Sequence, residues 1–207
     1  MYAILSLQLF VTFGAIFVTK TNEEIDGWMK GQAGLALSLF FVSFFVQCAI
    51  MCCRSVARKV PTNYILLTVF TLCQSFFFSW VVAQYTASTT LMAAGMTLGM
   101  TVALTIYALY TDTDFTICGS LFFIISVGML MLILVSLFMS FVSWWHPFVS
   151  AILVCVYGLY LVLDTQMIAG GKSHQISMDD YVIGALLLYI DITMIFFELL
   201  KLLGDKN

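Results

Sequence analysis

The sequence contains few charged residues. Aspartate, glutamate, lysine and arginine make up 9% of its 207 residues, whereas a soluble globular domain has about a quarter. Hydrophobic residues make up 62% of the chain, and its mean hydropathy is +1.06. The composition therefore indicates a membrane protein. Because a membrane helix needs about 20 apolar residues, the chain has room for about seven crossings and for no separate soluble domain.

The sequence also lacks a large net charge, zinc-type cysteine spacing and long linkers. The formal net charge is only −3, and its scattered charges argue against a nucleic-acid partner. The six cysteines show no C-x-x-C spacing, so we predict no zinc site and expect the cysteines to be buried as small hydrophobic residues. No polar break between the apolar runs is long enough to be a domain linker.

The apolar runs predict an all-α integral membrane protein with seven transmembrane helices. The predicted spans cover residues 2–19, 35–53, 64–85, 91–110, 115–142, 147–169 and 181–203 of a single membrane domain, 1–207. The first run lacks the basic start and the small-residue cleavage site of a signal peptide, so we interpret it as a span.

The basic residues predict the orientation of the chain. Arg54, Arg58 and Lys59 follow the second span, whereas the first loop contains only Lys20 and Lys30. The positive-inside rule therefore places the second loop and the N-terminus in the cytosol. Seven crossings would place the C-terminus on the opposite side, but two lysines near that terminus leave open a last segment that re-enters instead of spanning.

Several acidic residues near helix starts have a structural interpretation. In SMDDY, Ser177 is predicted to be an N-cap and Asp180, three residues later, to complete a capping box. Asp112 and Asp114 in TDTDFT invite the same interpretation. These acids are therefore not the first candidates for a functional site.

Three acidic residues remain at membrane depth: Asp164, Asp191 and Glu198. An aspartate at a helix centre costs roughly 2.5–3.5 kcal/mol on insertion scales, so each acid must find a partner, bind a proton or face a watery cavity. At 1.5 Å per residue, Asp164 lies about 9 Å and Asp191 about 16 Å from the cytosolic helix ends. If the two carboxylates meet, their repulsion and desolvation would keep one proton on the pair near neutral pH.

Glu198 and two arginines each have two interpretations. Glu198 lies seven residues after Asp191 on the same helix face, so it is either a pore-lining residue or an interfacial residue that Lys201 neutralises. Arg54 and Arg58 end the second span on one face. They are either interfacial anchors or a latch that reaches a membrane-embedded carboxylate and holds a pore shut.

The sequence resembles the Bax-inhibitor family of membrane proteins. The runs LYLVLDTQMIAGG and MDDYVIGALLLYIDITMIFFELLKLLG resemble its C-terminal signature. The runs RKVPTNYILLTVFT, LTIYALYTDTDFT and YAILSLQLFVTFG resemble its lifeguard branch. The resemblance covers essentially the whole chain in order, and it implies a seven-span fold whose last helix sits in the middle of the others.

The resemblance also implies a function, namely a pH-sensitive calcium leak attributed to a pair of aspartates. By position these are Asp164 and Asp191, and the latch arginine corresponds to Arg58, with Arg54 as the alternative. Glu198 departs from the family, which usually has an apolar residue there. The resemblance favours the Golgi or endoplasmic reticulum membrane and a role in cell death. The expected partners are lipid, calcium, protons and other membrane proteins of cell-death control, with no cofactor.

These residues suggest three candidate functions. In a leak channel the two aspartates would bind calcium weakly and transiently, because calcium prefers six to eight oxygen ligands and a permeating ion must also leave. The alternative is a non-conducting anti-apoptotic interaction protein. An intramembrane aspartyl protease is disfavoured because neither Asp164 nor Asp191 lies in a GxGD element, so we expect no enzyme.

Overall fold

The computed structural model describes residues 1–139 and 144–204, and this part of the chain is helical. The helices are α1 (Tyr2–Thr21), α2 (Glu23–Lys30), α3 (Ala33–Cys52), α4 (Arg54–Arg58), α5 (Thr62–Ala83), α6 (Ala87–Tyr110), α7 (Gly119–Phe138), α8 (Trp145–Ala169) and α9 (Tyr181–Leu203). Short 3-10 helices, Phe115–Cys118 and Met178–Asp180, precede α7 and α9.

Seven of the described helices are long and apolar enough to cross a membrane: α1, α3, α5, α6, α7, α8 and α9. The shortest have 20 residues, which is about 30 Å of helix and therefore one hydrocarbon core. The chain is a multi-pass membrane protein. The predicted end of the fifth span, Val142, lies outside the described residues.

The structure decides one question that the sequence left open and adds two short helices that the sequence did not predict. The last segment is one continuous helix of 23 residues, about 34 Å long at 1.5 Å per residue, so its length suits a span and not a re-entrant segment. The first two polar breaks contain α2 and α4. In α2, the side chain of Asn22 caps the helix by accepting hydrogen bonds from the backbone N–H groups of Glu24 and Ile25.

The described contacts divide the chain into two compact units. One comprises Met1–Ala87 with Ser177–Tyr189, and the other comprises Ser88–Ile176 with Ile190–Gly204. Helix α9 contributes residues to both units. It is also the most buried of the described spans, because 72% of an 18-residue stretch of it is buried inside the protein. This burial agrees with the central last helix that the family resemblance implied.

Polar side chains join α1, α5 and α9 inside the first unit. The Gln8 amide donates a hydrogen bond to the Thr71 hydroxyl at 3.0 Å. The Thr12 hydroxyl is hydrogen-bonded to Ser75 at 3.0 Å and to Tyr189 at 2.8 Å. Within a bilayer, where helices gain little from burying apolar surface against each other, such hydrogen bonds fix which faces meet.

Contacts between loops agree with a chain that crosses the membrane at every span. Lys20, in the last turn of α1, contacts Asp26 in α2 and the backbone carbonyl of Tyr85 after α5, both at 2.7 Å. Arg58, after α3, contacts Asp180 before α9. In each case an even number of spans separates the partners, as two loops on one side of a membrane require.

The prediction that the cysteines are buried is wrong for most of them. Of the six, Cys73 is buried and Cys48 is half-buried, whereas the other four are exposed: Cys52, Cys53, Cys118 and Cys155. The reason is that a membrane helix presents hydrophobic side chains to lipid as well as to other helices. An apolar residue in a span is therefore not necessarily inside the protein.

Candidate functional site

Asp164 and Asp191 come together inside the second unit. Asp164 lies on α8, five residues before the helix ends, and Asp191 lies ten residues after the start of α9. Each residue is only 5% exposed, and their side chains share a hydrogen bond. The two acids that the sequence placed at membrane depth are thus in direct contact.

The hydrogen bond between the two carboxyl groups requires a proton. An ionised carboxylate only accepts hydrogen bonds, so a hydrogen bond between two carboxyl groups needs a proton on one of them. The second oxygen of Asp191, Oδ2, is buried and has no hydrogen-bonding partner within residues 1–139 and 144–204. The pair therefore has a buried carboxylate oxygen at which this proton can lie.

Tyr157 is a further member of this site that the sequence analysis missed. It lies seven residues before Asp164 on α8, and therefore on the same helix face. Its hydroxyl group is close enough to Asp191 and Glu198 to interact with their charges. The heptad spacing from Asp164 is the signal that could have identified it.

Glu198 is paired with Lys201 on the next turn of α9. The ammonium group of Lys201 donates to both carboxylate oxygens, at 2.9 and 2.8 Å, and lies 4.8 Å from the centre of the Phe197 ring. Glu198 itself is buried, with 4% of its surface exposed. Of the two interpretations from sequence, the structure shows the local neutralisation by Lys201, and a pore-lining role for Glu198 stays a prediction.

Arg58 is bound to Asp180 by a bidentate ion pair in the first unit. The guanidinium Nε and Nη2 atoms each donate to one carboxylate oxygen at 2.7 Å. The hydrogen bond to Asp180 raises the pKa of Arg58 above its already high ordinary value, so this arginine stays cationic. Arg54, the alternative latch residue, is exposed at the start of α4. Latching of Arg58 or Arg54 onto Asp164 stays a prediction.

The Arg58 pair corrects the prediction for Asp180. Ser177 does act as an N-cap, because its side chain accepts a hydrogen bond from the backbone N–H of Asp179. The carboxylate of Asp180, however, binds Arg58 instead of completing the capping box. A charged partner on another helix gives a stronger hydrogen bond than a neutral backbone N–H, which explains the difference.

Gln166 lies on α8, two residues after Asp164. It joins α8 to the loop between α6 and α7. Its side chain is 1% exposed. The amide oxygen accepts from the backbone N–H of Phe115 at 3.0 Å, and the amide nitrogen donates to the carbonyls of Ala108 and Thr113 at 3.3 and 2.9 Å. These bonds fix the end of α8 that carries Asp164. No sequence pattern singled out Gln166 as a site residue, because its partners are backbone groups of another loop.

The same loop is held by the segment that follows α8. Asp114 caps its 3-10 helix through Thr116 and also accepts from the backbone N–H of Ser173, as the N-cap interpretation predicted. Hydrogen bonds from Thr116 and Ser173 hold the pKa of Asp114 well below its usual value. Lys172 donates to the backbone carbonyls of Thr111 and Asp112 at 3.0 and 3.2 Å.

The metal-binding capacity of the pair is low. The described residues contain no group of three or more histidine, cysteine, aspartate or glutamate side chains that could hold an ion. Asp164 and Asp191 alone offer a calcium ion far fewer oxygen atoms than the six to eight that it prefers. A cation at this pair would therefore be bound weakly.

Comparisons with known proteins give the family. The family model described as "Inhibitor of apoptosis-promoting Bax1" matches residues 1–207. The chain is 31% identical over 209 residues to "Protein lifeguard 3" of Homo sapiens, covering 100% of this chain and 67% of that protein. For "Protein lifeguard 3" of Mus musculus the identity is 29%, covering 100% and 68%. For "Bax inhibitor 1" of Schizosaccharomyces pombe it is 29%, covering 98% and 74%. With its seven apolar spans and most buried last helix, the chain therefore belongs to the Bax inhibitor family, in its lifeguard branch.

Proposed function

We propose that this protein is a pH-sensitive, calcium-permeable leak channel of an intracellular membrane. The observation that carries the proposal is the hydrogen-bonded pair Asp164 and Asp191, which is buried on two membrane-spanning helices. Ionisable residues at membrane depth are costly and usually serve an ion or proton pathway. An acidic pair has the charge that attracts a cation.

The same pair supplies the pH sensitivity. Uptake or release of the shared proton changes the charge of the pair by one unit. Because the pair is buried, this charge is weakly screened and strongly affects a cation beside it. The calcium flux therefore depends on pH through Asp164 and Asp191 as a coupled pair, and not through either acid alone.

Weak binding of calcium suits conduction. A channel site must attract an ion and also release it. Two carboxyl groups provide too few ligands for a tight calcium site, so occupancy is brief. Tyr157, on the same face of α8, is placed to contribute a hydroxyl oxygen to the path of the ion.

Arg58 is the proposed gate latch. Its ion pair with Asp180 fixes the turn that precedes α9, and α9 carries Asp191. Release of this pair would free the start of α9 to move. Such a hinge at the end of an element, separate from the ion-binding residues, is a common way to gate a path.

The cellular role that we propose is control of calcium stores and of cell death in the Golgi or endoplasmic reticulum membrane. The support is the family description, which refers to inhibition of the apoptosis-promoting protein Bax1, and the names of the lifeguard relatives. A calcium leak lowers the calcium content of a store, which gives the channel and the cell-death role one physical basis.

The test is calcium flux in liposomes that contain the purified protein and an enclosed calcium dye, measured across pH. The variants are Asp164→Asn, Asp191→Asn and Arg58→Ala, with Glu24→Gln in the exposed part of α2 as a matched control. We expect the pH dependence to change in both aspartate variants and not in the control. Unchanged flux at every pH in both aspartate variants would contradict the mechanism.

A second measurement separates the channel from a non-conducting interaction protein. Cells expressing the Asp164→Asn/Asp191→Asn double variant are exposed to a cell-death stimulus. The channel predicts that protection is lost together with the calcium leak. Protection that survives the loss of both aspartates would favour the interaction protein.

A further inference from the structure

Two adjacent cysteines lie where a membrane-spanning helix ends. Cys52 is the last residue of α3 and Cys53 is its C-cap, after which the short helix α4 begins. Both are exposed. The pair therefore lies at the boundary between the apolar core of the bilayer and its polar surface.

We propose that Cys52 and Cys53 are sites of reversible S-acylation by a long-chain fatty acid. Juxtamembrane cysteines are the usual acceptors of this modification. The thiolate sulfur attacks the thioester carbonyl of an acyl-coenzyme A. A new cysteine thioester forms, the bond to coenzyme A breaks, and coenzyme A leaves as a thiol with the proton. The exchange needs no oxidant or reductant, and it is independent of ion conduction.

The residues after the pair favour this reaction. Arg54 follows Cys53 directly and Lys59 lies six residues after it. Their positive charge attracts both the anionic coenzyme A and anionic lipid headgroups, whereas the charge of Arg58 is paired with Asp180. The same residues place this loop in the cytosol by the positive-inside rule, which is the side where acyl-coenzyme A is available.

The surface of α3 has room for the attached chain. Cys52 lies seven residues after Phe45 and eleven after Phe41, which places all three on one helix face. Phe45 is 68% exposed and Phe41 is 58% exposed, so this face is directed to lipid. An acyl chain on Cys52 would extend from the end of α3 into the same lipid layer.

The other exposed cysteines lack one of these conditions. Cys155 lies ten residues into α8, about 15 Å from the helix start at 1.5 Å per residue, and is beyond the reach of water-soluble coenzyme A. Cys118 lies at a helix boundary, just before α7, but the charged residues nearest to it in the sequence are the acidic Asp112 and Asp114. Both residues therefore serve as controls.

Acylation would also give α4 two points of attachment. Its far end is already fixed, because Ala57 is fully buried and Arg58 is paired with Asp180. Acylation of Cys52 and Cys53 would fix its near end to the bilayer. The modification would thus hold the helix that carries the ion pair at a constant depth.

The test is metabolic labelling of cells that express the full chain. Cells are fed an alkyne analogue of palmitate, the protein is purified, and the label is read before and after hydroxylamine, which cleaves thioesters. We expect hydroxylamine-sensitive label in the wild type, about half in Cys52→Ser and in Cys53→Ser, and a loss of about tenfold in the double variant. Cys118→Ser and Cys155→Ser should keep the full label.

A second readout counts the modified cysteines. Exchange of each thioester-linked chain for a polyethylene glycol tag should shift the wild-type band by two tags and leave the double variant unshifted. Equal thermal unfolding of the variants in detergent would show that all of them are folded. An unlabelled wild type, a double variant that keeps its label, or equal loss in Cys155→Ser would each overturn the proposal.

Discussion

Arg58 donates hydrogen bonds from Nε and Nη2 to the two carboxylate oxygens of Asp180, both at 2.7 Å, across 122 positions of the sequence. A planar guanidinium matches a carboxylate in this two-bond geometry, whereas a lysine ammonium is a point charge that does not. The contact therefore fixes both the position and the direction of the turn before α9.

The first prediction concerns this geometry. Arg58→Lys should lower the unfolding temperature of the detergent-purified protein nearly as much as Arg58→Ala, because lysine keeps the charge but not the paired bonds. In a double-mutant cycle, Arg58→Ala combined with Asp180→Asn should cost less than the sum of the two single variants. Additive effects would show that the two residues are not energetically coupled.

The second prediction concerns Gln166. Gln166→Glu places an oxygen where the amide nitrogen now donates to the carbonyls of Ala108 and Thr113. Each buried polar group left unpaired costs about 1–3 kcal/mol, so the free energy of unfolding should fall by at least that amount. Denaturant unfolding measures it, and Gln175→Glu, at an exposed position after α8, is the control. A variant as stable as the control would contradict the assigned role.

The third prediction concerns Glu198. Lys201→Met removes the partner of a carboxylate that is almost fully buried, so it should destabilise the protein by about 1–3 kcal/mol. Adding Glu198→Gln should restore most of this loss, because the residual group is then neutral. If the double variant is no more stable than Lys201→Met in denaturant unfolding, the pair does not contribute as described.

The fourth prediction separates structure from titration at the central pair. Asp191→Asn keeps a donor for the hydrogen bond to Asp164, since the asparagine amide carries N–H groups. Asp191→Ala leaves Asp164 without this partner. Thermal unfolding should therefore show a smaller loss for asparagine than for alanine, although both should change the pH dependence of calcium flux. Equal destabilisation would mean that the hydrogen bond is not needed for the fold.

The fifth prediction uses two acids outside the spans. Burial by itself would raise the pKa of Asp26, but the hydrogen bonds and charges of Lys20 and Lys30 outweigh it and lower that pKa. The pKa of Asp114 is also lowered, by its hydrogen bonds. In the unfolded chain the pKa of an aspartate is about 3.9. An aspartate whose pKa is lower than this in the folded protein stabilises the fold fully above about pH 4, and this stabilisation is lost as the pH falls from there towards the folded-state pKa.

Asp114→Asn tests this sign. The difference in unfolding temperature between wild type and variant should be constant from pH 7 to about pH 5 and should shrink below about pH 4. Any change in calcium flux between pH 5 and 7 would then come from other groups, which is consistent with the Asp164 and Asp191 pair. A difference that instead shrinks between pH 7 and 5 would show that Asp114 titrates there.

Pairing between distant residues was only partly predictable from the sequence. Asp164 and Asp191 could be matched because each is an expensive residue at a similar calculated depth. Asp180 was misinterpreted because a capping box depends on local spacing alone, whereas its actual partner, Arg58, is far away in the chain. Gln166 was missed because its partners are backbone groups of another loop, which no sequence pattern identifies.

The sequence by itself determined the seven spans, their order and the acids at membrane depth, because the transfer of a side chain into lipid is a local property of that residue. Only the tertiary structure decided which side of each helix faces protein. Phe45 is 68% exposed and Phe70 is fully buried, yet both lie in apolar spans. Since lipid and protein interior are similarly apolar, the hydrophobic pattern does not distinguish them, and the inward faces depend on packing and on hydrogen bonds between helices.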